Sequence, residues 1–113
     1  MPDTRPLLGD SGRLVLDASL AVKTLKDYQK ATEGQGVTRT FSVYSPDGSD
    51  PNGDPANTDT IFCGPNRSCD WPLAPGAWKD FDDVDPALMS FRTAKGTANQ
   101  IIRFAYGGTP TGG

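Results

Sequence analysis

Apolar and polar residues alternate with period two in several short runs. The clearest is Val37-Thr38-Arg39-Thr40-Phe41-Ser42-Val43-Tyr44. In a strand, Val37, Arg39, Phe41 and Val43 share one face, and Thr38, Thr40, Ser42 and Tyr44 share the other. The first face is the expected core side, with Arg39 as its exception. Arg13 to Asp17 reads as an earlier strand, with Leu14 and Leu16 on one side and Val15 on the other. Thr58 to Gly64, Ala77 to Asp82, Leu88 to Thr93 and Gln100 to Tyr106 continue the series. In Ala77 to Asp82, Trp78, Asp80 and Asp82 lie opposite Lys79 and Phe81. The segment Ala18 to Lys30 fits two patterns. Leu20, Val22 and Thr24 alternate as in a strand, while Leu16, Leu20, Lys23-Thr24 and Tyr28 fit a short helix. An extended segment ending near Leu25 is the preferred reading.

Turn signals separate these runs: Glu33 to Gly36, the Pro/Gly/Asp-rich stretch Ser45 to Asn57, Pro72 to Gly76, and Ala94 to Asn99. About six short strands punctuated in this way predict an all-β fold, a small antiparallel β-sandwich or barrel. Residues 1–12 read as an extended arm, 13–107 as the domain and 108–113 as a flexible glycine-rich tail. Phe41, Ile61, Trp78, Phe91, Ile101 and Phe104 are the expected buried set. Ile61/Phe62, Ile101/Ile102 and Phe104 give their strands two apolar sides, one for the core and one for a partner.

Composition sharpens this picture. The 113 residues are 35% hydrophobic, enough for one domain. Thirteen glycines and ten prolines suit short strands and turns better than helices. A net charge of −3 supplies no basic field for nucleic acid or an anionic membrane. No apolar run reaches the ~20 residues of a membrane helix. The start, Met1-Pro2-Asp3-Thr4-Arg5-Pro6, lacks the basic-then-apolar pattern of a secretion signal, which predicts synthesis in a cytoplasm.

The chain contains no histidine. That removes Ser-His and Cys-His nucleophile pairs and leaves only Cys63 and Cys69 toward a zinc site of the Cys/His type. Asp80, Asp82, Asp83 and Asp85 cluster, and paired carboxylates can do acid–base work; grouped carboxylates at a solvated strand edge are the commoner outcome. Asp50, Asn52 and Asp54 alternate like the start of a calcium loop, but Pro55 stands where that loop needs glycine. The plainer reading is a loop whose short side chains cap turns. Five residues separate Cys63 from Cys69, so a hairpin loop closing a disulfide and two free thiols both remain open. Trp71 and Trp78 suggest an aromatic platform for a sugar, against the simpler alternative of core packing for Trp78 and a loop lid for Trp71. No cofactor site is predicted.

The ordered series Asn57-Thr58-Asp59-Thr60-Ile61-Phe62-Cys63-Gly64, Leu73-Ala74-Pro75-Gly76, the Asp-rich Lys79 to Asp85, Leu88 to Thr93 and Ile101 to Gly108 resembles small β-sandwich proteins of tailed-phage virions. Their pattern runs from a strand like ANTGTVYVG through an LAPGE turn to strands like LYVIA and VRVLYGG. The resemblance spans Pro55 to Gly108, about half the chain. Ala77-Trp78 replaces the glutamate after the turn, Pro65 replaces a second glycine, and two cysteines with Trp71 fill the loop. The resemblance implies a non-enzymatic virion component: a capsid decoration or cement protein, or a head–tail accessory subunit. Its implied partners are the major capsid protein and sister copies, as a trimer on the particle; the arm's own residues, an apolar Leu7-Leu8 spot flanked by Arg5 and Pro6, are the expected docking residues. No catalytic residue carries over. A stand-alone carbohydrate-type binding sandwich is the alternative.

Overall fold

Strands form where the alternation is strongest, and they assemble into two antiparallel sheets. The computed structural model describes residues 10–17, 20–28, 37–49 and 53–107. The strands are β1 (Asp10–Val15), β2 (Lys23–Thr24), β3 (Thr38–Tyr44), β4 (Ile61–Pro65), β5 (Trp71–Leu73), β6 (Trp78–Val84), β7 (Met89–Thr93) and β8 (Ile101–Gly107). One sheet has the order β1-β8-β3-β6 and the other β2-β7-β4-β5. The fold is therefore all-β, a small sandwich of two four-stranded layers. Every connection crosses between the sheets except the β4–β5 hairpin. Asn66 and Arg67, both at positive φ, form the tip of that hairpin, and the Ser68 amide donates to the Pro65 carbonyl.

The core lies between the sheets. Leu14, Phe41, Val43, Ile102 and Phe104 come from the first, and Ile61, Cys63, Leu73, Met89 and Phe91 from the second. Phe41, Phe104 and Tyr106 stack in parallel, with centroids 5.6 to 6.4 Å apart. Phe41, Ile61, Phe91, Ile101 and Phe104 are all buried. Trp78 is not: it is 66% exposed. Phe81, directly opposite Phe41, packs against the core in its place and turns Trp78 and Asp80 outward. Val37 lies outside β3 and is exposed, while Thr38 is buried and its hydroxyl donates to the Gly107 carbonyl at 2.7 Å.

Pairing in β1 begins at Asp10, inside the stretch read as an arm. The reason is local. Gly12 sits opposite Phe104, and its missing side chain leaves room for the phenyl ring. Residues 1–9, including Arg5, Pro6, Leu7 and Leu8, lie outside the described residues, as do Glu33 to Gly36 and the tail 108–113. Among the described residues of the ambiguous segment, only Lys23–Thr24 is strand. The next turn is helix-like: the Tyr28 amide donates to the Thr24 carbonyl, and Thr24 and Asp27 exchange side-chain-to-amide bonds.

β4 starts at Ile61, not Thr58, because Asn57 to Asp59 make side-chain-mediated contacts with β8 instead of ladder bonds. Asn57 Oδ1 accepts from the Ile101 amide at 2.7 Å, and its Nδ2 donates to the Ile101 carbonyl at 2.6 Å. Gln100 Oε1 accepts from the amides of Thr58 and Asp59. Two side-chain amides thus act as peptide surrogates that fasten this loop to the sheet. Ile101 shares the face of outward-facing Arg103 yet is buried, outside the main core cluster, where Asn57 bonds both of its backbone groups.

The Leu73-Ala74-Pro75-Gly76 motif divides. Leu73 ends β5, and Ala74 to Ala77 form the turn, with Gly76 at φ 90° and the Ala77 amide bonded to the Ala74 carbonyl. Proline then glycine at the central positions suits a type II turn. Asp85 caps the 3-10 turn Pro86–Leu88 by accepting from the Ala87 amide. No helix among the described residues is long and apolar enough to cross a membrane.

Candidate functional site

The outward face of the first sheet carries the most distinctive surface among the described residues. Antiparallel register sets Arg13 opposite Arg103, Arg103 opposite Tyr44, and Tyr44 opposite Trp78. The adjacent row holds smaller groups: Ala105 opposite Ser42, and Ser42 opposite Asp80. A large row beside a small one makes a groove of about 450 Å³, lined by Ser42, Tyr44, Trp78, Asp80, Arg103 and Ala105 among others. Ser42 Oγ donates to Asp80 Oδ1 at 2.5 Å.

Two arginines facing each other across β1 and β8 repel. Asp54 resolves this. Its Oδ2 accepts from Arg103 Nε at 2.6 Å, and its Oδ1 accepts from Arg103 Nη2 at 3.1 Å and from Arg13 Nε at 3.0 Å. The carboxylate is almost completely buried between them. Arg103, opposed by burial and helped by Arg13, holds its carboxyl below the usual range. This clamp also ties the loop carrying Asp54 over one end of the sheet.

The clamp bears on the calcium-loop expectation. Asp54 is committed to two guanidinium groups, and Asp50 and Asn52 lie outside the described residues. Among the described residues, no group of three or more acidic or cysteine side chains is placed to hold a metal ion. Asp80, Asp82 and Asp83 are exposed on edge strand β6, and Asp85 serves as a helix cap. Charges on an open edge discourage strand-to-strand association.

Cys63 and Cys69 are free thiols. Cys63 belongs to the core, and burial pushes its thiol up to about 12. Cys69, between β4 and β5, is half-buried beside Ser90, whose hydroxyl donates to the Gly64 carbonyl. The hairpin loop folds so tightly over Gly64 that a β-carbon there would lie 1.7 Å from the Ser68 carbonyl oxygen.

Trp71 and Trp78 do not form one platform. Trp78 belongs to the outward face of β6, whereas Lys79 points the other way and sets its Nζ 4.3 Å from the Trp71 ring centroid. Trp78 instead neighbours Tyr44. Tyr44, Arg103 and Arg13 carry no motif, and Asp54 was singled out only for a calcium-like loop; strand register brings the first three together, and side-chain bonds from Arg13 and Arg103 add Asp54. The only advance signal was the placement of Tyr44 and Ser42 on the polar face of their strand.

The chain matches no family model, no curated protein and no solved structure. The fold and this surface describe a small all-β sandwich with a polar–aromatic groove on one sheet.

Proposed function

We propose that this chain is a non-enzymatic accessory subunit of a tailed-phage virion, a decoration or cement protein that bridges major capsid subunits. The observation that carries the reading is the place of β1. Among the described residues it is an edge strand with no neighbour beyond it, and residues 1–9 precede it in the chain. An edge strand continued by a segment containing Leu7-Leu8 suits reaching onto an adjacent subunit by strand addition. The resemblance of Pro55 to Gly108 to virion sandwiches points the same way.

The energetics constrain how such an arm works. Ordering each backbone residue costs about 1–2 kcal/mol. Burying two leucines returns only about 4–6 kcal/mol. Backbone hydrogen bonds to the neighbour supply the rest. Many copies on a symmetric shell, as trimers at three-fold axes, let modest affinity per copy suffice.

The test is occupancy on stripped particles, after a mass-spectrometric inventory of purified virions. Deleting residues 2–9 spares all of β1, so the variant is expected to fold and lose most of its binding. Equal occupancy of the truncated and full chains, or absence of the protein from particles, overturns the reading.

A further inference from the structure

We propose that the groove on the outward face of the first sheet binds a neutral hexopyranose, with one C–H face of the sugar stacked on Trp78 and a hydroxyl donated to Asp80. The Trp78 indole is two-thirds exposed and has neither a ring contact nor a hydrogen bond among the described residues. One exposed tryptophan is unremarkable by itself. Here it borders a depression of about 450 Å³, within the size range of small-molecule sites. Its walls are Tyr44 and Trp78, and its floor is Ser42 and Ala105.

The polar groups select the chemistry. Asp80 accepts from the Ser42 hydroxyl, and a carboxylate has room for further donors. Arg13 and Arg103 are balanced by Asp54 and Asp80, so the four charges sum to zero. Asp82, next on this face of β6, adds negative charge. An anionic sugar or a phosphate meets repulsion there, whereas a polyol brings further hydroxyl donors to Asp80. Equatorial hydroxyls leave a flat face of axial C–H bonds, which matches an indole. A proline-rich peptide also fits aromatic grooves, but proline has no N–H to give Asp80. Strands β3, β6 and β8 carry Ser42, Tyr44, Trp78, Asp80 and Ala105, so little ordering is needed on binding.

The experiment is a titration of the labelled protein with cellotriose and with N,N′,N″-triacetylchitotriose, followed by amide and indole N–H resonances. At least one trisaccharide is expected to shift the Trp78 indole and the Ser42, Asp80 and Ala105 amides, saturating at millimolar concentration, while the Trp71 indole stays put. Trp78→Ala is expected to abolish the response, its amide spectrum reporting that the fold persists. Asp80→Asn is expected to weaken binding about tenfold, the worth of one hydrogen bond to a charged acceptor. No shift with either sugar overturns the proposal, as does an undiminished response in Trp78→Ala. A response to decaproline alone reassigns the groove to peptides and overturns it as well.

Discussion

The ring of Phe104 occupies the space where a side chain at Gly12 would begin: a β-carbon at position 12 would lie 2.7 Å from Phe104 Cζ. β1 and β8 pair at this point, so one residue's bulk and the other's absence are a single packing decision. Phe104→Ala is expected to cost about 3–5 kcal/mol. Gly12→Ala, which forces the ring out of its stack with Phe41, is expected to cost about 1–3 kcal/mol. In the Phe104→Ala background the glycine substitution becomes nearly neutral, giving a coupling of about 1 kcal/mol or more. Urea unfolding of the four proteins measures this; additive effects would separate the two residues.

Asn57 is expected to tolerate substitution poorly despite its place in a loop. Asn57→Ala removes the bonds to Ser45 and to both backbone groups of Ile101 and leaves that amide and carbonyl buried. The expected loss is about 2–3 kcal/mol. Faster hydrogen exchange at the Ile101 amide, beyond the global change, would show that the side chain acts as a surrogate strand.

Stability is expected to fall in acid, and Asp54 to contribute to the fall. Its folded carboxyl is held low by Arg103 and Arg13, so the unfolded chain binds the proton more readily. The contribution is complete above the unfolded value, about pH 4, and is lost as pH drops through the lower folded one. Asp59 acts in the same sense. Burial alone would raise it, but the Lys95 amide and neighbouring donors from Thr97 and Thr60 pull it down. Asp54→Asn is expected to be less stable at neutral pH and to decline more shallowly toward acid, converging on the parent. Parallel urea-midpoint curves from neutral pH to about pH 2 would remove Asp54 from the acid response.

The two cysteines are expected to differ sharply in reactivity. Cys63 is buried with its thiol pushed up to about 12, so at mild alkaline pH it stays protonated and shielded. Cys69 is half-buried and also shifted upward by burial, opposed by Ser90 and Arg92, so slow labelling is expected. Iodoacetamide should modify Cys69 first, and Cys63 only after unfolding. Intact mass of unreduced native protein should correspond to two thiols.

Period-two alternation by itself determined that this chain is a β protein, and it located Phe41 and Val43, Phe91 and Phe104 as inward positions, while giving the last strand an apolar residue on each side at Ile101 and Ile102. Where a run offers one clearly apolar side, as at Phe41 and Val43, burial has a single solution. The Pro75-Gly76 turn was legible for the same local reason: those two residues fit few backbone shapes. In β6 the alternation divided Trp78 from Phe81, and the expectation of burial fell on Trp78, the wrong one, since each face carried one aromatic. Only the register that sets Phe81 against Phe41 decided it and turned Trp78 out. The clamp of Arg13, Asp54 and Arg103, the amide pairing of Asn57 with Ile101, and the groove between Tyr44 and Asp80 were likewise decided by tertiary structure. Each joins residues about forty positions apart, and the hydrogen bond or charge that links them exists only once two strands have been brought into register.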